Sequence, residues 1–248
     1  MSQWWLASRR RGIKRAESRH VPIHVEALEE RNLLTTLVVV PSPQFSGRLN
    51  ATAAIADNDI WAVGSAVEHF NGKSWSVVPT PSIPNSGFFG VSGVASNDVW
   101  AVGSNNGEPL IEHWNGTSWS VVANPTLGGQ DNTLNSVAAV SSNNAWAVGR
   151  TAGPGGALVE HWDGTSWSVV TNSVIAGAGP LSSVSADAAN DLWAVGEAGN
   201  GGPPLLHFNG TTWSQLHNPP ISMQANAVLA LSPTDVWAVG KTQYEANH

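Results

Sequence analysis

Apolar residues along this chain recur in short runs, either alternating or built from small residues, cut by Asn-Gly, Asp-Gly and Asn-Asp turns. The run Asn97-Asp98-Val99-Trp100-Ala101-Val102-Gly103 returns in degenerate form four more times, with its Trp at Trp61, Trp146, Trp193 and Trp237. Successive spacings are 39, 46, 47 and 44 residues. Self-similarity at this period marks one supersecondary unit copied in series. A second motif follows, Glu112-His113-Trp114-Asn115-Gly116-Thr117-Ser118-Trp119, repeated at Glu160–Trp167 and more weakly at 68–78 and 207–216. A run of small and β-branched residues, such as Ser136–Val140, precedes the first motif. Short β-rich runs joined by such turns read as antiparallel hairpins. In the third repeat the pattern predicts strands A at 136–140, B at 145–149, C at 158–162 and D at 167–171. Beyond the first 35 residues no segment has helical periodicity.

Four antiparallel strands per repeat of this length predict an all-β chain built as a β-propeller, with each repeat one blade. Five repeats fall within 37–248, and 1–36 is expected to stand apart as a basic targeting or disordered segment. The last repeat lacks its outer strands. Leu37-Val38-Val39-Val40-Pro41-Ser42-Pro43 matches Trp75-Ser76-Val77-Val78-Pro79-Thr80-Pro81, so residues 37–41 are expected to complete the last blade, with Gln243-Tyr244-Glu245 as its third strand. An open stack would leave unpaired edges and apolar faces. The other reading is a truncated piece of a longer propeller.

Charge divides the chain. Residues 1–34 carry seven basic against four acidic groups, a net of +3, and the remainder carries Arg48, Lys73, Arg150 and Lys241 against fourteen carboxylates, a net of −10. An acidic propeller is a poor partner for nucleic acid, whose binding depends on neutralising phosphates. The apolar run Leu33–Val40 is too short to span a bilayer. The absence of Cys removes thiol catalysis and Cys-ligated metals.

Leu28-Glu29-Glu30-Arg31-Asn32-Leu33-Leu34, after an Arg-rich tract, resembles the Leu-Glu-Pro-Arg-x-Leu-Leu segment at the start of many planctomycete exported and surface proteins, with Glu30 in place of the usual Pro. That resemblance implies an extracellular or cell-surface location. The repeats resemble bacterial extracellular propeller repeats of the Asp-Val-Trp-Ala-Val-Gly kind and, more distantly, kelch-like and Asp-box propellers. The Gly-His…Trp-Asp signature of WD repeats and the Gly-Gly doublet of kelch blades are missing. Asn115–Trp119 is one residue short of the Asp-box, which in that family is a structural turn.

Candidate chemistry is sparse. Glu68-His69, Glu112-His113 and Glu160-His161 repeat, but neighbours on a strand point to opposite faces, so none of these pairs makes an acid–base dyad. Their recurrence in each full blade reads as a His packed or hydrogen-bonded between blades. Asn115-Gly116-Thr117 and Asn209-Gly210-Thr211 match glycosylation sequons and also hairpin turns. The glycine-rich runs at 153–156 and 199–202 lack the Lys-Ser/Thr and helix of a phosphate loop. No catalytic set, metal site or cofactor site stands out. Asp187 alone breaks the repeat symmetry, standing where Ile55, Val94, Val140 and Leu231 stand in the other copies.

Two function classes follow. One is a non-catalytic recognition or structural module for a carbohydrate or protein; the other is a polysaccharide-acting hydrolase or lyase. The A–B turns (Asn97-Asp98, Asn143-Asn144, Asn190-Asp191) and C–D turns (Asn115-Gly116, Asp163-Gly164, Asn209-Gly210) are near-invariant and emerge at one end of each blade. The variable B–C and D–A connections emerge at the other, where recognition usually resides. They supply the candidate ligand contacts Phe88, Phe89, Asn105, Asn106, Glu108, Asp131, Arg150 and Glu197.

Overall fold

The computed structural model describes residues 5–8, 40–43, 46–152, 156–197, 205–216 and 223–242. A short strand β1 (Trp5–Ser8) precedes four complete antiparallel sheets in chain order. The first holds β2 (Leu49–Ala56), β3 (Asp59–Gly64), β4 (Val67–Phe70) and β5 (Trp75–Val77). The second holds β6 (Ser86–Ala95), β7 (Asp98–Asn105), β8 (Glu108–Trp114) and β9 (Trp119–Val121). In the third are β10 (Thr133–Ser141), β11 (Asn144–Arg150), β12 (Ala157–Trp162) and β13 (Trp167–Val169). A single helical turn, α1 (Ser173–Gly177), leads to β14 (Leu181–Ala188), β15 (Asp191–Gly196), β16 (Leu205–Phe208) and β17 (Trp213–Gln215). The chain then forms β18 (Met223–Ser232) and β19 (Asp235–Thr242), and β1 pairs with the free edge of β19 as the third strand of a fifth sheet.

The four strands expected in the third repeat are present within a few residues of their predicted bounds. Trp5–Ser8 pairs with β19 as the third strand of the fifth sheet, with Ala7 opposite Trp237 where a repeat His stands opposite its Trp; residues 243–245, expected in that place, lie outside the described residues. An unpaired strand edge takes up a short segment of sufficient β propensity, and Trp5-Leu6-Ala7-Ser8 lies just ahead of the Arg tract. The chain also has a helical turn, because Asn172 caps it by accepting a hydrogen bond from the Ile175 N–H at 2.8 Å. Residues 37–39 and the segment Leu28–Leu34 lie outside the described residues, whereas Val40 and Pro41 are described and not in a strand.

The inner strand of each sheet lies against that of the next, β2 on β6, β6 on β10, β10 on β14 and β14 on β18. The core is therefore divided into interfaces between sheets. Between the first and second, Trp61, Val63 and Val67 pack on Phe88, Val91, Val99 and Leu110. The Trp of one β3-type strand also meets two aromatics of the next sheet: Trp61 stands 5.0 Å from Trp114 and 5.3 Å from Trp119, and Trp100 stands 5.1 Å from Trp162 and 5.2 Å from Trp167. Trp146 repeats this with Phe208 and Trp213. Among the described residues β18 and β2 make no comparable contact.

The interfaces also bury carboxyls. Glu68, Glu112 and Glu160 occupy one repeat position, opposite Ala62, Ala101 and Ala147, and all are buried. Ser42 donates to both Glu68 oxygens, at 3.1 and 2.9 Å, but one oxygen of Glu112 and both of Glu160 are buried without a hydrogen bond. Burial pushes Glu112 and Glu160 up to about 7. Asn124, whose amide also donates to the Pro109 carbonyl at 3.3 Å, offsets this partly at Glu160, and desolvation is the larger effect. In the fourth sheet the position is Leu206, and the apolar Ile175 of α1 joins its interface instead.

Glu112 and Glu160 make stability depend on pH. Raised above the unfolded value, each is held protonated in the fold, so its contribution is complete below about pH 4.5 and is lost as pH rises through about 7. The loss is about 3 kcal/mol per carboxyl. Urea denaturation at pH 5 and pH 8 is expected to show Glu160→Gln gaining stability over the wild type at pH 8 only. An equal difference at both pH values would contradict it.

Candidate functional site

The near-invariant turns meet at one end of the sheets. A Cβ built on Gly116 would lie 2.7 Å from Asn97 Cβ, and Gly72, Gly164 and Gly210 approach Asn58, Asn143 and Asn190 just as closely. All four glycines have positive φ. Asn115 Oδ1 accepts from the N–H groups of Thr117 and Ser118 at 2.9 and 3.0 Å, and Asp163 and Asn209 repeat this. The side chains of both sequons therefore serve as turn acceptors. Each repeat His lies above this end. His69, His113 and His207 place Nε2 2.7–2.8 Å from Asp59, Asp98 and Asp191, and each ring packs on its own sheet's Trp at 4.3–4.4 Å. His161 meets the neutral Asn144 at 3.0 Å, and burial lowers it, with Asp163 opposing. The His is thus bonded within a sheet rather than between sheets. Strand alternation sends the neighbouring Glu to the other face, as expected.

At the same end Asp187 lies beside Asp191. Burial and the Asp191 charge raise it, and one of its oxygens is buried without a partner. Asp191 is in turn bonded to His207. The pair stands in one sheet, Asp187 on β14 and Asp191 on β15. Among the described residues no group of three or more His, Asp or Glu is placed to hold a metal ion.

The opposite end carries the variable connections, and six of the eight candidate contacts come from the second sheet and the loop that follows it. Asn105 and Glu108 face each other across the hairpin joining β7 and β8. Asn106 at its tip has φ 50°, and Asn85 and Asp131 in the flanking connections have φ 58° and 75°. Among the described residues these are the non-glycine residues with positive φ, a conformation that Asn and Asp adopt most readily. Asn85 donates to Asn106 Oδ1 at 2.9 Å, and Asn106 donates to Asn105 Oδ1 at 2.9 Å. Asn132 ties the next connection to this tip by donating its N–H to the Gly107 carbonyl at 2.8 Å. One carboxyl oxygen of Glu108 is buried without a partner. Phe89 is 39% exposed at a bulge in β6.

Phe88 departs from expectation. It is 4% exposed and packs between the first two sheets. Both phenylalanines lie within β6 rather than in a loop, and adjacent strand residues point to opposite faces, so Phe88 goes to the core and Phe89 to solvent. Arg150 is exposed at the end of β11 in the third sheet, and Glu197 is exposed beyond β15, where it accepts from Gln224 at 2.6 Å. These two lie on other sheets. Asn85 was not among the sequence candidates; its signal is an Asn before the glycine-containing start of an inner strand.

No protein-family model matches the chain, and no curated protein matches it by sequence. Solved structures do match. A YCF48 structure bound to D1 peptide aligns at a TM-score of 0.54 and 17% identity, covering 81% of this chain and 66% of its own. The SapL1 lectin in complex with alpha methyl fucoside aligns at 0.55 and 12% identity, covering 84% and 80%. An ancestral GH74 enzyme aligns at 0.57 and 20% identity, covering 82% and 29%. The fold is a β-propeller. This chain spans just under two thirds of the YCF48 chain and less than a third of the GH74 enzyme. No helix among the described residues is long and apolar enough to cross a membrane.

Proposed function

We propose that this propeller is a non-catalytic extracellular or cell-surface module that binds a carbohydrate at the variable-loop end of its second blade. The observation that carries this reading is the neutral amide chain Asn85–Asn106–Asn105 on the same sheet as the exposed ring of Phe89. An aromatic face covers the apolar face of a sugar ring, and fixed amides donate to and accept from its hydroxyls. The amides are already bonded to one another, so little side-chain entropy is lost on binding. Left-handed Asn residues held by their neighbours are the kind of local strain that clusters at ligand sites. A lectin among the structural matches agrees with this reading, and the Leu28–Leu34 segment supports export.

Probing glycan and peptide arrays with the full chain is the test. Retention is expected on a narrow set of glycans, with the retained glycan unchanged by mass spectrometry after prolonged incubation. Cleavage of the glycan would replace the reading with a polysaccharide-acting enzyme, and retention on peptides alone would replace the ligand class.

A further inference from the structure

Asn132 stands immediately before β10 and is only 1% exposed. Its hydrogen bonds reach three different segments. The backbone N–H donates to the Gly107 carbonyl, at the tip of the hairpin between β7 and β8, at 2.8 Å. The side-chain amide donates to the Gly128 carbonyl of its own connection at 3.1 Å. Oδ1 accepts from the Ala152 N–H, in the third-sheet loop after β11, at 3.0 Å. The same segments touch elsewhere. A Cβ built on Gly129 would lie 3.7 Å from Ala152 Cβ, and one built on Gly107 would lie 2.8 Å from the Asp131 nitrogen.

This arrangement is not part of the repeat. The carbonyls of Arg48, Gly87, Thr133, Pro180 and Gln224 each meet the last glycine of the repeated heptapeptide, which makes these residues equivalent. The residues before them are Gly47, Ser86, Asn132, Gly179 and Met223. Only Asn132 carries an amide. Ser86 bonds within its own connection, to the Ile83 carbonyl at 2.8 Å. Glycine holds the place in the first and fourth sheets, so packing of the sheets does not call for a side chain there. The Asn132 amide is buried and fully paired, and both of its partners are loops. It pins the residue between two connections, and the backbone N–H so held meets the tip that carries Asn106. Asp131 and Asn106, at φ 75° and 50°, flank this contact in a conformation that persists only where neighbours hold it.

We infer that Asn132 is the positioning residue of the variable-loop end. It holds the Asn105–Asn106 tip of the second sheet against the loop of the third, so the recognition surface is preorganised by two sheets rather than one. The role in recognition rests on the reading of this end as the binding site.

Two measurements on the full chain separate positioning from binding. The first is hydrogen–deuterium exchange with nothing bound. Asn132→Ala is expected to speed exchange over 104–108 about tenfold while 99–102 and 145–148 exchange as in the wild type. Unchanged exchange over 104–108 would overturn the inference whatever the protein binds. Acceleration spread equally into 99–102 and 145–148 would make Asn132 an ordinary core residue and overturn it as well. The second is calorimetric titration with a glycan selected on the array. Affinity is expected to fall about tenfold, because apparent affinity scales with the fraction of molecules whose tip is in place. Wild-type affinity in a variant whose hairpin has loosened would overturn the inference. A loosened hairpin in a protein that retains no glycan would leave the positioning of the tip standing and remove the carbohydrate reading alone. Asn132→Ser, with the residue that the second sheet carries at this place, is expected to give the same two results and covers the case of an alanine variant that fails to fold.

Discussion

Gly103→Ala is expected to cost at least about 3 kcal/mol, more than most single substitutions, while Gly87→Ala on the neighbouring strand should cost almost nothing. A Cβ on Gly103 would lie 1.9 Å from the Gly87 carbonyl oxygen and 2.8 Å from Phe88 Cα. Both are backbone atoms of a paired strand and cannot swing aside as the tip of a side chain would. The cause is the bulge between Phe88 and Gly90, which drives the inner strand onto its partner. Gly64, Gly149, Gly196 and Gly240 close the same motif and meet the carbonyls of Arg48, Thr133, Pro180 and Gln224 at 1.9–2.0 Å. The last residue of the repeated heptapeptide is therefore set by close backbone approach. Gly87 has nothing within 4 Å of a built Cβ, and an alanine there also restricts the unfolded chain. Equal urea midpoints for the two variants would contradict this account.

Trp100→Ala should be comparably severe, at about 3–5 kcal/mol, or about 10 °C in Tm for a domain of this size. Trp100 is 2% exposed and joins two sheets, packing on His113 at 4.3 Å in its own sheet and on Trp162 and Trp167 in the next. Its loss opens a cavity lined by rings held on two separate backbones, which cannot collapse together without moving a sheet. Trp100→Phe should recover part of the loss, because a smaller ring still separates the sheets. Thermal melts of the three proteins check this, and an alanine variant that melts with the wild type would show that the interface is held elsewhere.

Much of the architecture was readable because it rests on period and turn chemistry. The Trp spacing marks one copied unit, and the Asn-Gly and Asn-Asp turns meet in space as their common end requires. What escaped the reading has local physical causes. Phe88 and Phe89 read as loop residues, yet β6 begins at Ser86, and alternation along it sends one ring to the core and the other to solvent. Glu112 and Glu160 read as ordinary polar positions, yet alternation places them on a face that another sheet covers. Leu206 at the fourth copy was the available sign that this position is interior. Asn172 was a capping signal for α1 too short to register as helical periodicity. At the candidate site, turn composition pointed to Asn105, Asn106 and Asp131, but their grouping with Asn85 depends on which connections adjoin one hairpin tip.

The claim that recognition resides at the variable-loop end of the second blade is tested most directly by titrating an array-selected glycan into four full-length variants. Phe89→Ala and Asn106→Gly alter the proposed end, while Lys73→Ala and Thr117→Ala alter the turn end. At least a tenfold loss of affinity is expected from each of the first two, with the second pair binding as the wild type does. Loss confined to Lys73→Ala and Thr117→Ala, or undiminished binding by all four, would contradict the account.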